Sequence, residues 1–269
     1  ASRVAQRVVD QSNARSLHEG QIPRVGGIGI AIAVLATLCA ATIGARWRWP
    51  ADIGALVLMI APIFAVSLWN DARDLRAGVR LAVHLACAGT LAWLWDVPPL
   101  WLLPTALLLA WSANLYNFMD GADGLAGGMA AIGFGTLAIA GQLAGDNLLA
   151  LISAAIAGGA IGFLTLNWHP ARTFLGDAGS VTLGFTAAAV SLRGVLDASW
   201  SAALPLTVFL PFAFDATLTL ATRALRGAPL AQPHREHLYQ RLVLAGAGHR
   251  RVALGAYGLM LISASAALG

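Results

Sequence analysis

The sequence contains no lysine: all 17 of its basic residues are arginine, set against 13 acidic ones. Charged residues make up only 11% of the 269, well short of the roughly 25% usual in a soluble domain. That shortage excludes water as the main solvent. Cysteine is nearly absent too. Cys39 and Cys87 both fall in apolar runs, where a disulfide has no obvious role, and read as small apolar side chains. The net charge of +4 does not point to nucleic acid, because a face of alternating aromatic and basic residues is missing. No strand pattern precedes Gly26-Gly27 or Gly127-Gly128, which excludes phosphate-binding loops of the Rossmann or P-loop type and leaves close helix packing. No signal peptide is legible ahead of the first apolar run.

What the sequence has in abundance is apolar surface, at 58% hydrophobic residues. Runs long enough to cross a bilayer, about 17–25 residues each, recur along the whole length. They predict an all-α, polytopic membrane protein folded as one domain over 1–269. The expected spans are 28–45, 53–69, 79–95, 100–117, 125–143, 148–166, a short one over 180–192, 202–221 and 252–268. A polar loop over 223–251 precedes the last. With about nine spans, fourteen arginines fall in loops on the side of the N-terminus and three (Arg46, Arg48 and Arg193) on the other. That asymmetry places the N-terminus in the cytoplasm. The outer turns are short and are expected to carry nothing of note.

The polar chemistry gathers on the arginine-rich side. Its densest stretch is Asn114-Leu-Tyr-Asn-Phe-Met-Asp-Gly-Ala-Asp-Gly-Leu-Ala126, set between apolar walls. Four clusters emerge there: Asn70/Asp71/Asp74, Asn117/Asp120/Asp123, Asn167/Asp177 and His234/Arg235/His237. Carboxylates collected near one point repel unless a cation sits among them. Oxygen donors without a cysteine cluster suit Mg²⁺ or Mn²⁺ rather than zinc, and Arg and His beside them suit a diphosphate. A divalent ion flanked by basic groups is equipment for phosphoryl transfer.

Other polar residues have plainer readings. Asp74, Asp96, Asp146 and Asp197 fit helix caps and turns. His84, one turn after Arg80 inside a span, reads as a satisfied packing residue. His18, His169 and His249 read as lone loop histidines without function. Asp215, inside the eighth span, is a functional candidate by its depth, with Arg223 as its expected partner.

Taken in order, several segments carry a resemblance: Arg15-Ser-Leu-His18, Pro23-Arg-Val-Gly-Gly27, Asn70-Asp71, the Asn114–Ala126 stretch, Phe174-Leu-Gly-Asp-Ala-Gly-Ser180, Asp215 and His234-Arg-Glu-His-Leu-Tyr-Gln-Arg-Leu242. The chain resembles the polyprenyl-phosphate N-acetylhexosamine-1-phosphate transferase superfamily over nearly its whole length, and within it the bacterial group that starts O-antigen or related surface-glycan synthesis. The resemblance implies attack of undecaprenyl phosphate on a UDP-N-acetylhexosamine at the cytoplasmic face of the bacterial inner membrane, giving undecaprenyl-diphospho-sugar and UMP with Mg²⁺ present. It assigns the ion to Asp177 with Asn117 as a second contact, and catalytic positions to Asp71, Asp120 and Asp123. Asn70, Asn167, Phe174, His234, Arg235 and His237 would touch substrate, and a homodimer is an expected assembly.

Two departures stand out. Where the family usually has adjacent acids, this chain has Asn70-Asp71, and a carboxamide neither takes a proton nor holds a cation as a carboxylate does. The attacking phosphate has a second pKa of about 6, so it is already ionised at neutral pH and activity is expected. The family also usually has a span before the Arg-Ser-Leu-His segment, and none is seen in this sequence. A lipid-linked-sugar flippase and a catalytically impaired assembly partner stand as alternatives.

Overall fold

A computed structural model describes residues 9–10, 22–45, 49–229 and 234–269. Arg3, Arg7, Arg46, Arg48 and the Arg15-Ser-Leu-His18 segment lie outside the described residues. Most of the described residues are helical, as apolar runs in lipid must be, because only a helix satisfies its own backbone there. In order these are α1 Gly26–Ala45, α2 Ala51–Ala72, α3 Ala77–Leu94, α4 Pro99–Met119, α5 Leu125–Ala144, α6 Asn147–Asn167 and α7 Gly176–Leu196. They are followed by α8 Ala203–Val208, α9 Leu210–Leu225, α10 Leu238–Leu242, a π-helical turn Val243–Ala247 and α11 Gly248–Leu268. One short antiparallel pairing, β1 (Val9–Asp10) with β2 (Ile22–Pro23), precedes α1.

Seven segments among the described residues are long and apolar enough to cross a bilayer: α1, α2, α3, α5, α6, α7 and the stretch Leu238–Leu268. Burial sorts them. Two-thirds (67%) of the apolar window of α5 and of α7 is buried inside the protein, against 17% for α1 and 22% for α2. So α5 and α7 form the centre, α7 packing on α2 and α4 and α5 on α6 and α11. Outer helices leave large side chains such as Ile32, Ile43, Trp93 and Leu103 to the surroundings.

Three expectations from the sequence are corrected. The seventh span is not short: α7 has 21 residues, because Gly176-Asp-Ala-Gly179 is its first turn rather than a loop. The eighth is broken at Phe209, between Pro205 and Pro211, into helices of 6 and 16 residues. The long polar loop is largely helical as well, with α9 running to Leu225 and α11 starting at Gly248.

Two helices fix the geometry that matters. Near the start of α2, Asp52 pairs with Arg193 near the end of α7 at 3.2 Å, while at the other end Asp71 meets the beginning of α7. The helices are therefore antiparallel, and residues 52 and 71 stand about 29 Å apart at 1.5 Å rise per residue, close to the thickness of a bilayer core. At the Asp52 end, Arg193 also binds Asp197, with Nε 2.6 Å from its Oδ2. Asp146 caps α6 through the Leu149 N–H at 3.0 Å and accepts Ser199 Oγ at 2.7 Å. The turns at this end, expected from the sequence to carry nothing of note, thus hold an ion-pair network around a small cavity.

Candidate active site

Asp177 lies in the first turn of α7, and three side chains from three other segments meet it. Asn70 Nδ2, from the end of α2, donates to Oδ2 at 2.7 Å. Arg80, from the first turn of α3, donates to the same oxygen at 2.9 Å. Asn117 Nδ2, from the last turn of α4, donates to Oδ1 at 2.9 Å. The Arg80 and Asp177 side chains stay 32% and 20% exposed, so the centre can be reached from outside.

Asp71 sets this arrangement from below. It is buried, and its carboxylate accepts the backbone N–H of Asp177 at 2.8 Å and of Ala178 at 2.9 Å. Those are two of the unpaired donors of the α7 N-terminus, where a negative charge is also favoured by the helix dipole. Gly176 makes the contact feasible: its φ is +73°, and a Cβ there would lie 2.8 Å from Asp71 Oδ2. Each Asp71 oxygen thus accepts one backbone N–H of the first turn of α7, and the side chain lies directly beneath Asp177. Neighbouring strands of chain lock the same turn. Phe174 donates its N–H to Pro23 O and accepts the Gly26 N–H, both at 2.9 Å, and Gly27 packs directly on Gly179.

The His loop docks on the end of α4. Asp215 accepts the Leu238 N–H at 2.8 Å and the Tyr239 N–H at 3.2 Å, so it caps α10. His237 Nδ1 stands 3.6 Å from it. Arg223, the partner expected for Asp215, instead binds Glu236 and the Pro229 carbonyl. Tyr239 donates its hydroxyl to Phe118 O at 2.9 Å, and the His237 ring stacks on Phe118 with centroids 6.0 Å apart. His237 is buried, whereas His234 and Arg235 are half-buried beside it, with the His234 ring 5.0 Å from that of His237.

The remaining sequence candidates lie elsewhere on these loops. Asp120 is the half-buried C-cap of α4. Asn167 is buried and spent on backbone, accepting the Gly124 N–H and donating to Thr173 O, both at 2.9 Å. Asp123 turns to His169, whose Nδ1 is 2.6 Å from Oδ2, and to His249, at 3.6 Å from Oδ1. The two histidines read as lone loop residues are thus paired with a carboxylate. Arg80 is the residue the sequence reading missed; a cation in the first turn of a span, rather than out in the loop, was its signal.

A model of glycosyl transferase family 4 matches residues 53–195. A probable undecaprenyl-phosphate N-acetylglucosaminyl 1-phosphate transferase of Bacillus subtilis is 31% identical, over 93% of this chain and 73% of that protein. The chain belongs to glycosyl transferase family 4. Within the polyprenyl-phosphate N-acetylhexosamine-1-phosphate transferase superfamily it is also similar to the decaprenyl-phosphate N-acetylglucosaminephosphotransferase of Mycolicibacterium smegmatis, at 30% identity over 90% of this chain and 70% of the other. An undecaprenyl-phosphate alpha-N-acetylglucosaminyl 1-phosphate transferase of Yersinia pestis is 29% identical over 100% and 77%. The family-4 match runs from α2 to α7 and so contains Asn70, Asp71, Arg80, Asn117 and Asp177, while the His loop lies beyond it.

The family-4 centre has the donors a magnesium ion uses. Mg²⁺ is held by one or two carboxylates and by phosphate oxygens, with water completing the shell. Asp177 supplies one partly exposed carboxylate. The three groups now pressed against it, two amides and a guanidinium, stand where a cation would, and the Asn117 amide presents an oxygen when it turns over.

Proposed function

We propose that this chain transfers an N-acetylhexosamine 1-phosphate from a UDP-sugar to undecaprenyl phosphate, releasing UMP, as the first membrane step of O-antigen or other surface-glycan synthesis. The observation that carries the reading is the convergence of Asn70, Arg80 and Asn117 on Asp177 at one end of the helix bundle. Family membership supports it, and the names of the relatives give the lipid and sugar class.

In this reading Asp177 and Asn117 hold Mg²⁺, with Mn²⁺ as a substitute, and the ion supplies charge neutralisation for the donor diphosphate. Arg80 offers a second cation at the same point and takes diphosphate oxygens once it is released from Asp177. An ionised oxygen of the lipid phosphate attacks the sugar-bearing phosphorus, a new P–O bond forms, and the bond to the UMP oxygen breaks. No proton has to be removed from the nucleophile, since the second pKa of such a phosphate is about 6. That agrees with Asp71 being occupied by two backbone N–H groups. Asp120 keeps the catalytic position that the resemblance gives it, and Phe174, His234 and Arg235 contact the donor in this reading. The site faces the cytoplasm of the bacterial inner membrane, where UDP-sugars are made.

Transfer is favoured over flipping by the use to which Asp215 is put. Asp215 is used to cap α10, which removes it from any path across the membrane. The test is purified protein with undecaprenyl phosphate, Mg²⁺ and a panel of UDP-N-acetylhexosamines. UMP release with at least one donor is expected. A folded preparation that releases none with any donor, yet moves lipid-linked sugar between leaflets, would establish the flippase reading instead.

A further inference from the structure

His84 stands in α3 one helical turn after Arg80. Residues four apart share a helix face, with Cβ atoms about 5–6 Å apart, and helical side chains lean towards the N-terminal end. The imidazole therefore lies over the turn that carries Arg80. His84 is 2% exposed and within electrostatic reach of both Arg80 and Asp177. Its helix packs on α2 and α4, which bring Asn70 and Asn117 to the same carboxylate.

The sequence suggests a satisfied packing residue at this position, and the structure corrects that reading. Neither Nδ1 nor Nε2 of His84 has a hydrogen-bond partner among the described residues, and neither has the buried Nε of Arg80. A buried imidazole with two unpaired nitrogens is costly, and a leucine would fill the place without that penalty. A neutral imidazole offers one acceptor, and the Nε–H of arginine is a charged donor. The unpaired groups are thus complementary and stand on adjacent turns. In this structure the guanidinium is drawn to Asp177 instead, through Nη1 at 2.9 Å.

We propose that His84 is the positioning residue of Arg80: its imidazole accepts the Arg80 Nε–H once the guanidinium leaves Asp177. The inference rests on the reading that Arg80 then takes diphosphate oxygens. With Nε held from the side, Nη1 and Nη2 point away together, as a fork that grips two phosphate oxygens. An apolar side chain in place of His84 leaves the guanidinium free to turn, so that diphosphate binding has to order it.

The test measures binding of radiolabelled inorganic pyrophosphate, with Mg²⁺, to purified protein in detergent. His84→Leu removes the acceptor and is expected to weaken binding at least about tenfold. His84→Gln restores an acceptor oxygen and is expected to stay within about threefold of wild type. In an Arg80→Met background His84→Leu is expected to change nothing further, as a residue acting through Arg80 requires. The thermal midpoint of His84→Leu without ligand is expected to equal or exceed that of wild type, because an unpaired polar group is gone. Wild type that binds no pyrophosphate, unchanged binding in His84→Leu, or an equal loss in the Arg80→Met background overturns the proposal. The readout is binding and not transfer. Binding that depends on His84 without UMP release sinks the reaction alone, and UMP release with binding indifferent to His84 sinks this inference alone.

Discussion

At the scale of single residues, Asn70 is where sequence and structure bear on each other most sharply. As a carboxamide it donates to Asp177 and accepts the Leu75 N–H at 2.9 Å, so both of its polar atoms are used. An acid there would place a second carboxylate against Asp177 at hydrogen-bond distance. We therefore expect Asn70→Asp to lower stability by about 1–3 kcal/mol in chelator, and Mg²⁺ to restore most of it. Thermal midpoints with and without Mg²⁺ check this; a midpoint unchanged in chelator contradicts the placement of Asn70. The sequence grouped Asp177, Asn117, Asn70 and Asp71, together with Asp74, Asp120, Asp123, Asn167 and the His234–His237 loop, because all emerge on the arginine-rich side of the spans. It did not reveal that Asp71 caps a helix, nor that Asp123 faces His249 across 126 positions, since neither contact is local in the chain.

Elements explain how such distant positions are held. The N-terminus of α7 is placed by Asp71 from α2, by the Pro23–Gly27 segment and by close packing of Gly27 on Gly179. Gly176→Ala is expected to cost about 1–3 kcal/mol, from left-handed backbone strain and from crowding of Asp71, and to lower turnover with it. A chemical-denaturation midpoint close to wild type would show that this turn does not depend on Gly176. Most helix positions were legible from apolar run length, to within a few residues. The failures have physical causes: a glycine-rich first turn reads as loop in α7, and Pro205 and Pro211 break a run that hydropathy alone joins. Helices α9, α10 and α11 take up much of a stretch whose charge suggested an open loop.

For the whole molecule, the antiparallel pair α2 and α7 separates two polar ends by about the depth of a bilayer core. One end carries Asn70, Asp71, Arg80, Asn117 and Asp177, and the other Asp52, Asp146, Arg193 and Asp197. The arginine imbalance of the sequence is the ground for expecting the Asp177 end in the cytoplasm. In a background lacking Cys39 and Cys87, Ser201→Cys should react with an impermeant thiol reagent on intact cells, and Asp74→Cys only after permeabilisation. The reverse pattern would turn the protein over and separate its active end from cytoplasmic UDP-sugars.

The central claim is that Asp177 is the hub of a metal-assisted transfer of sugar phosphate to a lipid phosphate. The most direct measurement is UMP released per chain with the best UDP-sugar, as Mg²⁺ is varied, in wild type and in folded Asp177→Asn. The account predicts Mg²⁺-dependent release by wild type and a loss of at least about 10²–10³-fold in the variant. Near-normal, Mg²⁺-dependent release by Asp177→Asn would contradict it.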